Sequence, residues 1–173
     1  MNGKAHVFGD YVNTDLIIPF RFKARTNDPV ELAKYCMYGI DREFPKKVSK
    51  GDVIVAGVNF GGGSSREQAP VAIKYAGIGA VVADSFARIF FRNALVIGLP
   101  ALEIPGIQKQ VKAGDAVAVD LRKRTLTNLR TKKTFQAAPL TGFLRDLEAA
   151  GGLAAYHKRH GKFPWEPGKR KTT

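Results

Sequence analysis

The sequence predicts a single α/β domain built on a mixed sheet flanked by helices, with an added part of short antiparallel strands. Three observations carry this expectation. Apolar tetrads (Val53–Ala56, Ala80–Ala83) alternate with helix-length segments, the pattern of strands joined by crossover helices. Beyond Gly114 and Asp115 the texture changes to short strands separated by turns. A chain of 173 residues, 45% of them hydrophobic, is long enough to bury one sizeable core.

Each element follows from local chemistry. Lys4–Phe8 alternates weakly and is expected to be a short edge strand. In Asp10–Pro19 a turn carries Asn13, Thr14 and Asp15, and an apolar strand ended by Pro19 is expected after it. Phe20–Asp28 is a polar, basic loop. Asp28 as N-cap and Pro29 at the first helical position start a helix over Val30–Tyr38. Val53–Ala56 is a buried strand, followed by a glycine-rich loop, a helix ending near Gly77, and the strand Ala80–Ala83. Phe86–Ile97 is a helix whose Phe86, Ile89, Phe90 and Ala94 share a face, and Leu99–Leu102 is a further strand. Ala116–Asp120, Thr125–Leu129 and Thr134–Gln136 are expected to form antiparallel hairpins, with a last helix from about Thr141 to Ala150. The domain is expected over residues 1–156, and 157–173 as a basic, mobile tail.

The net charge of +13 is unevenly spread. Leu121–Lys133 holds six cations and no acid, and His157–Thr173 holds six more against Glu166, so eleven of the thirteen net charges lie there. A solvated strand face plus a tail accounts for them. The competing class, a nucleic-acid-binding module, is the less favoured reading. No apolar stretch is long enough to span a bilayer, and no signal peptide is visible, so a cytoplasmic protein is expected. The single cysteine, Cys36, excludes an intrachain disulfide and a self-contained three-cysteine iron–sulfur site. It is expected to be a buried structural thiol. His157 and His160 lack a third ligand, and Asp10 serves a turn.

The segment Val53–Gln68 (VIVAGVNFGGGSSREQ) passes from strand through glycine loop to helix start. Gly61, Gly62 and Gly63 let backbone N–H groups approach a ligand, and the positive end of the helix dipole favours an anion there. Ser64, Ser65 and Arg66 add two hydroxyls and a guanidinium suited to gripping a carboxylate. No GK[ST] closes the loop, GxGxxG is absent, and GxSxG is absent, so a phosphate loop, a dinucleotide fingerprint and a hydrolase elbow are excluded. Two readings stay open on spacing alone. Ser64-x-x-Glu67 and Ser65-x-x-Gln68 both fit a helix capping box, with Pro70 complicating the register, and the same residues fit an anion site.

Three motifs occur in order: NTDLIIP (Asn13–Pro19), GGGSSREQAP, and DSFARIFFRNALVIGLP (Asp84–Pro100). Together with KGDVIVAGVNFG they closely resemble the small subunits of 3-isopropylmalate dehydratase and homoaconitase. Those are similar in turn to the swivelling β/β/α domain of aconitase. The resemblance covers roughly Val7 to Tyr156. It implies that Ser64, as alkoxide, is the base that removes a proton next to a carboxylate. It implies that Ser65 and Arg66 hold the substrate carboxylate, and that Asp15 faces the same site beside Gly62 and Gly63. The distinguishing group of the substrate would be met from Phe20–Asp28: Ala24 there suits an isopropyl group, Arg25 an extra carboxylate. The substrate would be a small di- or tricarboxylate. The [4Fe-4S] cluster, whose free iron acts as Lewis acid, would be held by cysteines of a separate large subunit, leaving this chain without a cofactor of its own and inactive alone. Gly62 and Gln68 depart from the cysteine and histidine found at these positions in most such small subunits.

The activity implied is isomerisation of 2-isopropylmalate to 3-isopropylmalate by dehydration and rehydration, a step of leucine biosynthesis. Homoaconitate hydratase and methylmalate-type dehydratase small subunits are the alternatives within the class. A stand-alone anion-binding domain is a weaker possibility.

Overall fold

The structure, a computed structural model, describes residues 1–63 and 67–166. Among these, Asn2–Val7 (β1), Val53–Ala56 (β2), Ala80–Ala83 (β3) and Ala101–Glu103 (β4) form a parallel set. Ala116–Asp120 (β5), Thr125–Asn128 (β6) and Lys133–Gln136 (β7) continue the sheet antiparallel, in the order β4-β3-β2-β1-β5-β6-β7. The mixed α/β architecture expected from the sequence is therefore present. β2 and β3 are buried along their whole length, as strands covered on both faces must be.

Alternation divides their side chains between two cores. Ile54, Ala56, Val81 and Ala83 pack with Leu32, Ala72, Ile73, Phe90 and Ala94 beneath the helices. Val53, Val55, Ala80 and Val82 pack with Val117, Val119 and Leu126, so the antiparallel half curls over the second face. The helices are Thr14–Ile17 (α1), Phe20–Lys23 (α2), Pro29–Ala33 (α3), Phe44–Lys47 (α4), Gln68–Tyr75 (α5), Arg88–Ile97 (α6), Phe143–Ala150 (α7) and Leu153–His160 (α8).

Several expectations are corrected. β1 is central, not an edge, because β2 pairs with it on one side and β5 on the other. Its polar residues are accommodated by Asp52, 3% exposed, which accepts from the Lys4 amide and lies 2.8 Å from His6 Nε2. Burial opposes ionisation of Asp52, but the Ser49 amide, His6 and the Lys4 amide outweigh it and hold the carboxyl below its ordinary range.

Leu16–Ile18 is not a strand. The Asn13 side chain accepts from the Asp15 and Leu16 amides and caps one helical turn, α1, in place of an extended ladder. Asp28 does cap α3, accepting from Val30 N, but regular helix ends at Ala33 and turns continue to Ile40. In α6, Phe90 and Ala94 enter the core while Ile89, 51% exposed, points away from it. Leu153–His160 is helical, so α8 runs across the boundary expected at residue 157.

The basic segment is only partly a solvated face. Arg124, 8% exposed, donates from Nη1 to both oxygens of Glu148 on α7 at 2.5 and 2.6 Å, and from Nε and Nη2 to the Ala138 and Ala101 carbonyls. It ties the β5–β6 turn to α7 and β4. Arg130 pairs with Asp115 at 2.6 Å, and that guanidinium, with the Lys112 amide, holds the carboxyl well below the usual carboxylate range. Cys36 is fully buried, and burial pushes its thiol well up. No helix among the described residues is long and apolar enough to cross a membrane.

Candidate active site

The glycine loop follows β2 and is held by backbone bonds on both sides. Asp10 Oδ1 accepts from Val58 N at 2.8 Å, which gives the expected turn residue its task. On one flank, Asn59 N donates to Ser85 Oγ, Phe60 N to the Ser85 carbonyl, and Ala87 N to the Phe60 carbonyl. On the other, Gly61 N donates to Val12 O at 2.7 Å and Thr14 N to Gly62 O at 2.8 Å, with Asn13 and Gly62 bridged in parallel. The three sequence motifs thus meet at Phe60–Gly63.

The loop needs its glycines for packing as well as for backbone freedom. Gly61 has φ +81°, and a Cβ there would stand 2.1 Å from Phe90 Cγ. Phe60, Phe86 and Phe90 form the aromatic floor, with Phe60 edge-on to Phe90 at 5.2 Å. Phe90 is accordingly core, as expected, while Arg92 is exposed.

Past the loop, Ser64, Ser65 and Arg66 lie outside the described residues. α5 begins at Gln68, with Glu67 at its N-cap position and no side-chain cap bond. That start leaves both serines short of the cap position. It also places Pro70 in the first turn, where a missing N–H costs no intrahelical bond. The positive end of the α5 dipole is therefore at Gln68, shortly after the glycine loop in sequence.

Asp15 stands in the first turn of α1, immediately after the residues bridged to Gly62, and its side chain is 62% exposed. Its Oδ1 accepts from Lys23 Nζ at 2.7 Å. Lys23, whose side chain is 2% exposed, is the residue that sequence reasoning missed. Ala24 and Arg25, the two candidates for substrate discrimination, are both exposed at the end of α2. Gln68 Nε2 donates to Asn27 Oδ1 at 3.1 Å, joining α5 to the same loop.

Two buried side-chain atoms have no hydrogen-bond partner among the described residues: Thr14 Oγ1 and Gln68 Oε1. Thr14 Oγ1 lies 3.3 Å from where a Cβ on Gly63 would sit. An orphaned buried hydroxyl is costly, so Thr14→Val is expected to raise the stability of the isolated chain by about 1 kcal/mol in urea unfolding. A loss of stability on that substitution would mean the hydroxyl is already satisfied.

An open groove of about 490 Å³, lined by Asn59, Gly61, Gly63, Arg88, Ile89 and Arg92, runs beside the loop. Its volume suits a small ligand, and its two guanidinium groups, one helical turn apart, suit an acidic one. The i, i+4 spacing of Arg88 and Arg92 was visible in the sequence, but not their place beside the loop. No group of three His, Cys, Asp or Glu among the described residues is placed to hold a metal ion.

Residues 4–106 match the Aconitase C-terminal domain family. The chain is 53% identical to the 3-isopropylmalate dehydratase small subunit of Moorella thermoacetica, over 92% of this chain and 95% of that one. It is 54% identical to the methanogen homoaconitase small subunit of Methanocaldococcus jannaschii, over 92% of each. The crystal structure of 3-isopropylmalate dehydratase from Methanocaldococcus jannaschii superposes with a TM-score of 0.86 at 52% identity, covering 92% of this chain and 94% of that one.

Proposed function

The chain belongs to the Aconitase C-terminal domain family, and from that premise we propose that it is the small subunit of an aconitase-type hydro-lyase interconverting 2- and 3-isopropylmalate. One observation supports this reading most strongly. Backbone pairing brings Val12, Asn13 and Thr14, the residues leading into Asp15, against Gly61 and Gly62, at the loop that leads to the N-terminus of α5.

In this reading the loop presents backbone N–H groups and the α5 dipole to a substrate carboxylate, which Ser65 and Arg66 grip. Ser64, as alkoxide, takes the proton from the carbon next to that carboxylate as the hydroxyl leaves the neighbouring carbon. The same serine returns the proton when water adds back with the opposite regiochemistry. A serine is too weak a base for this unaided, and the helix dipole together with Arg66 favours its ionised form. Asp15 orients the substrate from α1. The aromatic floor under Gly61 keeps the loop rigid and dry from below.

The remaining chemistry, Lewis-acid assistance at the departing hydroxyl, is supplied by a [4Fe-4S] cluster that we assign to a large subunit. This chain is unsuited to hold the cluster: its one cysteine, Cys36, is fully buried in the core. Names of relatives as small subunits support a heteromeric partner, and a cytoplasmic location fits this biosynthetic reading.

The competing substrate is homoaconitate, favoured by the 54% identity to a homoaconitase small subunit and by Arg25 in the α2 loop. Purified chain and large subunit, combined anaerobically, are expected to turn over 2-isopropylmalate much faster than homoaconitate. Turnover of homoaconitate alone would move the assignment to the alternative, and turnover of neither would remove the hydro-lyase reading.

A further inference from the structure

The loop Phe20–Asp28 carries three cations, Arg21, Lys23 and Arg25, at alternate positions. Arg21 and Arg25 are exposed, but the single turn of α2 carries Lys23 inward, where its side chain is 2% exposed. A buried ammonium persists only when paired, and the partner here is Asp15 Oδ1 at 2.7 Å. The pair is asymmetric: the cation is enclosed while the carboxylate, 62% exposed, remains open to a ligand. Asp15 Oδ2 has no partner among the described residues.

We propose that Lys23 is a positioning residue, which holds Asp15 fixed in orientation at the substrate site. The inference rests on the reading of Asp15 as a substrate-facing group. The enclosed ammonium occupies one carboxylate oxygen, so the other is presented in a set direction. No other charge among the described residues does this. Arg21 lies over the Phe22 ring at 4.7 Å and near Tyr38, Arg25 is exposed, and Lys74 of α5, the helix packed on α1, donates to the Ile97 carbonyl. Glu67, at the start of α5, is exposed, and Gln68 is neutral.

The pair can be dissected because methionine matches the lysine stem without its charge. Asp15, 62% exposed, keeps its access to water when the ammonium is removed, so the replacement leaves no enclosed charge unpaired. With the large subunit, Lys23→Met is expected to fold and assemble normally. Its kcat should fall roughly 10- to 100-fold, the scale of a misplaced group at a reacting centre, with a smaller change in KM. Lys23→Arg should restore most of the turnover. If Lys23→Met does not fold, Lys23→Gln takes its place in the comparison.

Wild-type turnover in Lys23→Met, alongside an impaired Asp15→Asn, would overturn the proposal alone. Full activity of Asp15→Asn would overturn it together with the reading of Asp15. A Lys23→Arg variant as impaired as Lys23→Met would show that the charge is not what matters, and would overturn it too.

Discussion

Replacing Ser64 by alanine is expected to lower kcat of the assembled enzyme by roughly 10²- to 10⁴-fold, the range a positioned general base contributes. The complex should still form, and KM should change little, because the hydroxyl acts in the transition state rather than in ground-state binding. The reason lies in the frame around it. Gly61 and Gly62 are hydrogen-bonded to Val12 and Thr14, and α5 starts only at Gln68, with Glu67 at its N-cap position. Steady-state kinetics of the Ser64→Ala enzyme, with complex formation followed by gel filtration, makes the check. Retained turnover would return the serine to a structural role.

The largest effect on stability is expected away from the site, at Glu148→Ala. The Arg124 and Glu148 side chains are 10% and 8% exposed, and Arg124 uses Nη1 for both carboxylate oxygens. Removing the anion leaves a guanidinium enclosed beneath α7 with only two carbonyls to receive it. Breaking a buried pair from one side in this way costs about 3–5 kcal/mol, a large share of the stability of a domain of this size. Urea unfolding of the isolated chain should register it as a lower midpoint with an unchanged slope. A change below about 1 kcal/mol would place the pair with surface ion pairs instead.

Which features were legible in the sequence follows from the range of the forces involved. β2 and β3 could be read because a fully buried strand announces itself as a continuous apolar tetrad, and the start of α3 because Asp28 and Pro29 are local signals. The central position of β1 was not legible. It depends on β5, more than a hundred residues away, and on Asp52 absorbing the polar groups of Lys4 and His6. Leu16–Ile18 looks like a strand by composition, and only the capping geometry of Asn13 turns it into α1.

The same limit applies at the site. The glycine loop and the Asn13–Asp15 motif were both visible, but not that they are bridged. Alternating cations in Phe20–Asp28 gave no sign that Lys23, rather than Arg25, points inward, nor did the basic run Arg122–Lys133 mark Arg124 as a core residue. Burial of a charge is decided by a partner distant in sequence, and periodicity carries no record of that partner.

In the proposed reading this chain supplies half of an active site. Titrating a fixed amount of the large subunit with this chain, and following dehydration of isopropylmalate, tests it most directly. Neither protein alone should turn over the substrate, and activity should rise linearly to a plateau at equimolar subunits. Turnover by this chain alone, or large-subunit activity unaffected by its addition, would contradict a shared active site.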